Sequence, residues 1–154
     1  MSYYVLALLI GVVAGLRART PFAAVSWAAR LGRLHLGGTW LAFLGSSATP
    51  YIFTILAVGE LVNDKLPKTP SRKVPAQFGA RIVTGGLAGA AIGTAGQSLA
   101  AGLVAGIVGA VVGTLGGSAI RARLAKAFGN DLPAALVEDA VAVIAAILII
   151  SQLQ

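Results

Sequence analysis

The sequence predicts an all-helical membrane protein: a polytopic bundle of about five spans, with short broken or interfacial helices and glycine-zipper packing. Three observations carry this. Hydrophobic residues make up 57% of the 154 positions before the 20 glycines are counted, whereas a soluble domain reaches about 45–50% with glycine included. Charged residues are 11%, against about 25% in such a domain. The apolar stretches are continuous rather than alternating, which excludes a transmembrane barrel. This hydrophobicity also excludes intrinsic disorder, and the absence of cysteine excludes a disulfide framework.

The first apolar run covers residues 5–16. It lacks the basic leader of a signal peptide, and Arg17 and Arg19 stand where a cleavage site would fall, so it reads as a retained helix. Tyr3 and Tyr4 suit an interfacial belt. At the following turn, Thr20 can cap and Pro21 can open a new helix, predicted over residues 21–34 and broken by Gly37 and Gly38. Whether residues 5–34 cross once or twice is open at this level. Residues 39–62 form the second full run, with a kink predicted at Ser46, Ser47, Thr49 and Pro50. Residues 66–76 then contain Pro67, Pro70 and Pro75 and read as a basic loop. It divides the single membrane domain into candidate halves, 1–66 and 77–154.

A third run, 77–95, and a fourth, 98–117, are built from small residues. Gly11 and Gly15, Gly89 and Gly93, Gly102 and Gly106, Gly109 and Gly113, and Gly113 and Gly117 are each spaced GxxxG, which lets helix backbones approach closely in lipid. The same faces would serve a homodimer. Gly116 and Gly117 are expected to break the fourth run, with Ser118 capping a short basic helix to Phe128. The last run covers residues 133–150. Gly11–Gly15 and Gly109–Gly113 also open a weak internal repeat.

The net charge is +7, but the cations lie between apolar runs without interleaved aromatics. That pattern points to membrane topology and anionic headgroups rather than nucleic acid. Segments 65–73 and 121–126 flank two runs and are expected on one side, the cytoplasm. The turn around Arg30, Arg33 and His35 then falls outside, against the rule.

Chemistry must come from few side chains. Glu60 and Asp64 share one helix face. Glu138 and Asp139 sit two turns into the last helix. Carboxylates at membrane depth should face the bundle and pair, so two readings stand: clamps between helices, or a polar pathway. The turn with Arg17, Arg19 and Thr20 offers free N–H groups beside guanidiniums and reads as an anion site. His35 has no companion ligand, so no metal is assigned, nor any cofactor or catalytic residue.

Two segments carry a resemblance: Gly15-Leu16-Arg17-Ala18-Arg19-Thr20-Pro21-Phe22, and Glu60 through Asp64-Lys65, Pro67, Pro70 and Arg72. They resemble an uncharacterised family of small bacterial membrane proteins, filed as a domain of unknown function. The resemblance spans residues 5 to about 150 and implies the bacterial inner membrane, with no substrate attached. The leading expectation is a transporter or channel-like protein for a small or anionic solute. Its pathway would use Arg17, Arg19, Thr20, Glu60, Asp64, Lys65, Arg81, Glu138 and Asp139. The alternatives are a membrane scaffold or lipid-binding protein and, third, a lipid-modifying enzyme.

Overall fold

A computed structural model describes residues 1–153. Among them, six α-helices and one short 3-10 helix account for the regular structure: α1 (Tyr3–Leu16), α2 (Thr20–Arg30), the 3-10 turn Trp40–Gly45, α3 (Thr49–Asn63), α4 (Pro75–Ala95), α5 (Leu99–Phe128) and α6 (Asp131–Ser151). The all-helical expectation holds. Two helices, α5 and α6, are long and apolar enough to cross a membrane.

The helices alternate in direction. The start of α1 meets the α4–α5 turn, where the Tyr4 hydroxyl donates to the Gly96 carbonyl at 2.6 Å. Arg33, just beyond α2, donates to the Ile150 and Ser151 carbonyls at the end of α6, both at 3.2 Å. The opposite end gathers the α1–α2 turn, the loop of residues 64–74 and the α5–α6 turn. Residues 5–34 therefore form two antiparallel helices.

Several sequence boundaries move, each for a local reason. The run 39–62 is two separate elements rather than one kinked helix. Thr39 caps the 3-10 turn, Leu41 N–H donating to its hydroxyl at 3.3 Å, and Pro50 opens α3 afresh. The second helix ends at Arg30, because Gly32 adopts φ +74°, a left-handed conformation that stops a helix. Pro75 starts α4 instead of extending the loop, since an N-terminal position needs no N–H. Gly116 and Gly117 do not break α5, which runs unbroken to Phe128. Ser118 caps nothing; its hydroxyl donates back to the Thr114 carbonyl one turn earlier. Glycine supplies both backbone groups a helix requires, so inside a packed bundle it can continue one. The real stop is Gly129 at φ +70°. Asn130 then caps α6, its side chain accepting from the Leu132 N–H at 3.1 Å.

Helices α1, α4 and α5 make the centre, and glycine sets their separation. A Cβ built on Gly15 would lie 2.5 Å from the Gly113 carbonyl carbon, and one on Gly93 would lie 2.7 Å from the Gly102 Cα. Cβ positions on Gly11, Gly106 and Gly109 would collide with backbone carbonyl oxygens of the facing helix. The two segments matched in the repeat thus lie against each other, Gly11–Gly15 on α1 and Gly109–Gly113 on α5. Beyond them the chain diverges: α1 turns at Arg17, while α5 continues.

Helices α6 and α2 flank this centre, and α3 rests mainly on α2. Phe22 and Phe53 stack with ring centroids 5.0 Å apart, and Trp27 Nε1 donates to Thr54 Oγ1 at 3.0 Å. Outer faces expose Ile52, Ile55 and Val58 on α3, Val104, Val108 and Val112 on α5, and Val141, Ile144 and Ile147 on α6. Monomeric soluble proteins rarely expose such contiguous rows.

The glycine contacts generate a direct test. Gly109→Leu must push apart α1 and α5, while Gly37 has nothing within 4 Å of an added Cβ and no left-handed φ. Overpacking costs about 1–3 kcal/mol, and more against backbone. Gly109→Leu should lower the detergent melting temperature by many degrees and Gly37→Leu should leave it near wild type; equal melting temperatures would reject the close-contact packing.

Candidate functional site: a charge network at one end of the bundle

All five acids of the chain, Glu60, Asp64, Asp131, Glu138 and Asp139, meet at the end where α1, α3 and α5 finish and α2, α4 and α6 begin. Five of the twelve cations join them: Arg17, Lys65, Arg72, Arg81 and Arg121. The network is therefore charge-neutral, and the net +7 resides entirely on the seven cations outside it.

Arg17 is the hub. It follows α1 and its side chain is fully buried. Its Nε donates to Asp139 Oδ1 at 2.6 Å and its Nη1 to the Leu16 carbonyl at 3.0 Å. Nη1 also lies 3.0 Å from Asp64 Oδ2, and Nη2 lies 3.5 Å from Glu138 Oε2 and pairs with Asp139. One guanidinium thus ties α1 to the end of α3 and the first turns of α6. Burying a cation is strongly unfavourable unless it is paired and hydrogen-bonded, so the three carboxylates must be present wherever Arg17 is.

The other members close the network around this hub. Lys65 donates to the second Asp139 oxygen and, at 2.7 Å, to the Leu61 carbonyl. Arg72 reaches in from the loop and grips both oxygens of Glu138, Nη2 to Oε2 at 2.7 Å. Arg121 on α5 donates to Asp64 at 2.6 Å, to Glu138 at 3.3 Å and, through Nε and Nη2, to both oxygens of Asp131 at 2.9 and 2.7 Å. Such forked pairs are geometrically specific as well as strong.

Glu60 has a different task. Its two oxygens accept the backbone N–H groups of Ala18 and Arg19, each at 2.8 Å. The turn read from sequence as an anion site is thus already filled by the protein's own carboxylate. Thr20 does not cap α2 either: it is the first helical residue, and its buried hydroxyl has no partner. Arg19 is exposed and stands apart from the network.

Arg81 is the least compensated buried member. It is 4% exposed. Its Nη1 donates to the Gly15 carbonyl at 3.0 Å, its Nη2 is 3.9 Å from Glu60, and its Nε has no partner.

Two polar cavities reach the network from this end. The first, of about 430 Å³, lies between the loop and α5 and is lined by Lys65, Arg72, Arg121 and Asp131. The second, of about 260 Å³, is lined by Arg19, Glu60, Asn63, Gln77, Arg81 and Thr84. Asp64, Thr69 and Pro70 wall both.

Of the residues singled out in the sequence, Arg17, Glu60, Asp64, Lys65, Arg81, Glu138 and Asp139 are brought together. Arg72, Arg121 and Asp131 were missed. Arg72 sits in a proline-rich basic loop, where cations usually face solvent. Arg121 and Asp131 flank a turn whose geometry depends on α5 continuing through Gly117. The Pro70-Ser-Arg72 part of the quoted motif was the available signal.

A family model described as domain of unknown function DUF4126 matches residues 4–152, and the chain belongs to that family. No curated protein and no solved structure matches.

Glu138 and Glu60 should respond differently to neutralisation. Glu138→Gln leaves Arg72, Arg17 and Arg121 short of a charge, and breaking a buried pair costs about 3–5 kcal/mol. Glu60→Gln keeps one carbonyl acceptor for the two N–H groups, a loss of about 1–3 kcal/mol, and removes from Arg81 only a long 3.9 Å contact. Detergent melting curves should therefore rank Glu138→Gln clearly below Glu60→Gln; the reverse order would show that the hub does not depend on Glu138.

Proposed function

We propose that this protein is a multi-pass inner-membrane protein that binds and passes a small anionic solute, entering through the polar cavity beside Arg81. The observation that carries the reading is the under-paired Arg81 guanidinium at a 260 Å³ cavity that also holds Arg19, Gln77, Asn63 and Thr84. The other network cations have a close carboxylate partner, so among the network members Arg81 gains most from a solute anion that passes exposed Arg19. Ionisable groups at membrane depth are expensive, and their default reading is functional.

In this reading the network is the closed gate. Asp64, one of the carboxylates on Arg17, walls both cavities, and Glu60 occupies the N–H groups of the Arg17–Pro21 turn. An entering anion competes with Glu60 for Arg81 and for those N–H groups. Displacing Glu60 would free the α1–α2 turn from α3. The rows of apolar side chains on α3, α5 and α6 face lipid, and all six helices cross or reach across the bilayer. At about 1.5 Å per residue, the 14-residue α1 is only about 21 Å long, so the bilayer must thin locally or headgroups must reach inward there.

Orientation follows from charge. Lys68 and Lys73 in the loop, and Arg123 and Lys126 on α5, belong to the network end, which this reading places in the cytoplasm. Cysteines replacing Lys68 and Arg123 should both be protected from an impermeant thiol reagent in whole cells and labelled after permeabilisation. Labelling of either in intact cells would reject that orientation.

The solute reading is tested in proteoliposomes by recording charge movement on concentration jumps of chloride, phosphate and small carboxylates. At least one anion should give a current that Arg81→Gln lowers about tenfold or more, with Gln77→Ala intermediate. Silence across the panel from folded protein would reject passage and favour a non-transporting scaffold.

A further inference from the structure

We infer that the groove that runs between α2, α3 and α6 and opens beside Leu31 and Ile150, at the end of the bundle opposite the network, holds one acyl chain of an anionic phospholipid whose headgroup sits on Arg30 and Arg33. This inference concerns another surface and stands independently of the solute reading.

The groove has a volume of about 440 Å³, within the roughly 300–1,000 Å³ of small-molecule sites. Its lining is almost wholly apolar, with Ala23, Ala24, Val58, Leu61, Ile147 and Ile150 among its residues. The polar groups on its α2–α3 wall turn inward: Trp27 Nε1 donates to Thr54 Oγ1, which donates to the Pro50 carbonyl at 2.7 Å. Thr20, also on the lining, buries its hydroxyl, so an occupant meets hydrocarbon.

Charge decides which lipid. Leu31 and Ile150 mark one mouth of the groove. Arg30 precedes Leu31 on the last turn of α2, three residues from the lining Trp27, so it stands at the edge of the groove face. Arg33 is anchored there by the Ile150 and Ser151 carbonyls through Nη1, which leaves its other donors for a second partner. Both arginines are exposed. Neither has an acidic side chain to pair with among the described residues, because every acid is committed at the far end. Two guanidiniums without an acidic side-chain partner among the described residues, beside an apolar slot, complement a molecule with one anionic head and a long apolar tail. This also gives a reason for basic residues on the side where the charge rule disfavours them.

Native mass spectrometry of the protein in mild detergent tests the assignment, with added phosphatidylglycerol compared with phosphatidylcholine of the same chains. Wild type should retain one phosphatidylglycerol at least fivefold more than phosphatidylcholine. Arg30→Gln should remove that preference. Val58→Trp, at an exposed position lining the groove, should lower retention of both lipids by fivefold or more, with the protein still folded by its melting curve. Equal retention of the two lipids by wild type, or undiminished retention in either variant, would overturn the site. A dimer that Val58→Trp dissociates would show that a second copy of the chain fills the groove, and would overturn it too.

Discussion

One buried guanidinium organises this molecule. Arg17 lies at the junction where α1 ends and α2 turns back, fully inaccessible to solvent, and can exist there only as the partner of Asp64, Glu138 and Asp139. Those three come from the end of α3 and the start of α6, so satisfying one charge fixes three elements against each other. Their excess negative charge in turn draws in Lys65, Arg72 and Arg121. The loop of residues 64–74 is thereby pinned by side-chain charge, although its prolines give it little backbone structure of its own.

A second constraint complements the first. The centre of the bundle is held by close backbone packing and its end by polar contacts. The glycines of α1, α4 and α5 supply the packing, bringing backbone within reach of backbone along the middle of the bundle. The network supplies the polar contacts at one end. Gly117 joins the two: a Cβ there would come within 3.3 Å of both Arg72 Nη1 and Glu138 Oε1. A side chain at that position would press directly on the forked pair between the loop and α6.

The opposite end is built on other terms. Among the described residues it carries no acidic side chain, its helices end in glycine turns and a 3-10 segment, and α3 leans on α2 through aromatic stacking. A tightly keyed end that holds every acidic side chain and an apolar-grooved end whose two arginines have no acidic side-chain partner among the described residues therefore belong to one chain. The asymmetry follows from spending all five carboxylates in one place.

Composition and the continuity of apolar runs determined the helical class, because they depend only on which residues are present and in what order. The short lengths of the first two helices and the turn at Arg17–Pro21 were legible for the same reason: caps, prolines and arginines act locally. The inward-facing acids of α3 and α6 were legible too, since a charge among apolar residues is costly unless it is paired. The unbroken α5 was not legible, because whether glycine ends a helix or merely thins it depends on what packs against it. Nor could sequence order say that Glu60 fills the α1–α2 turn from more than forty positions away, or that Arg72 leaves its loop to grip Glu138. Those pairings were decided by the tertiary structure. Charges choose partners by distance in space, and only the glycine-set approach of the helices brings these within reach.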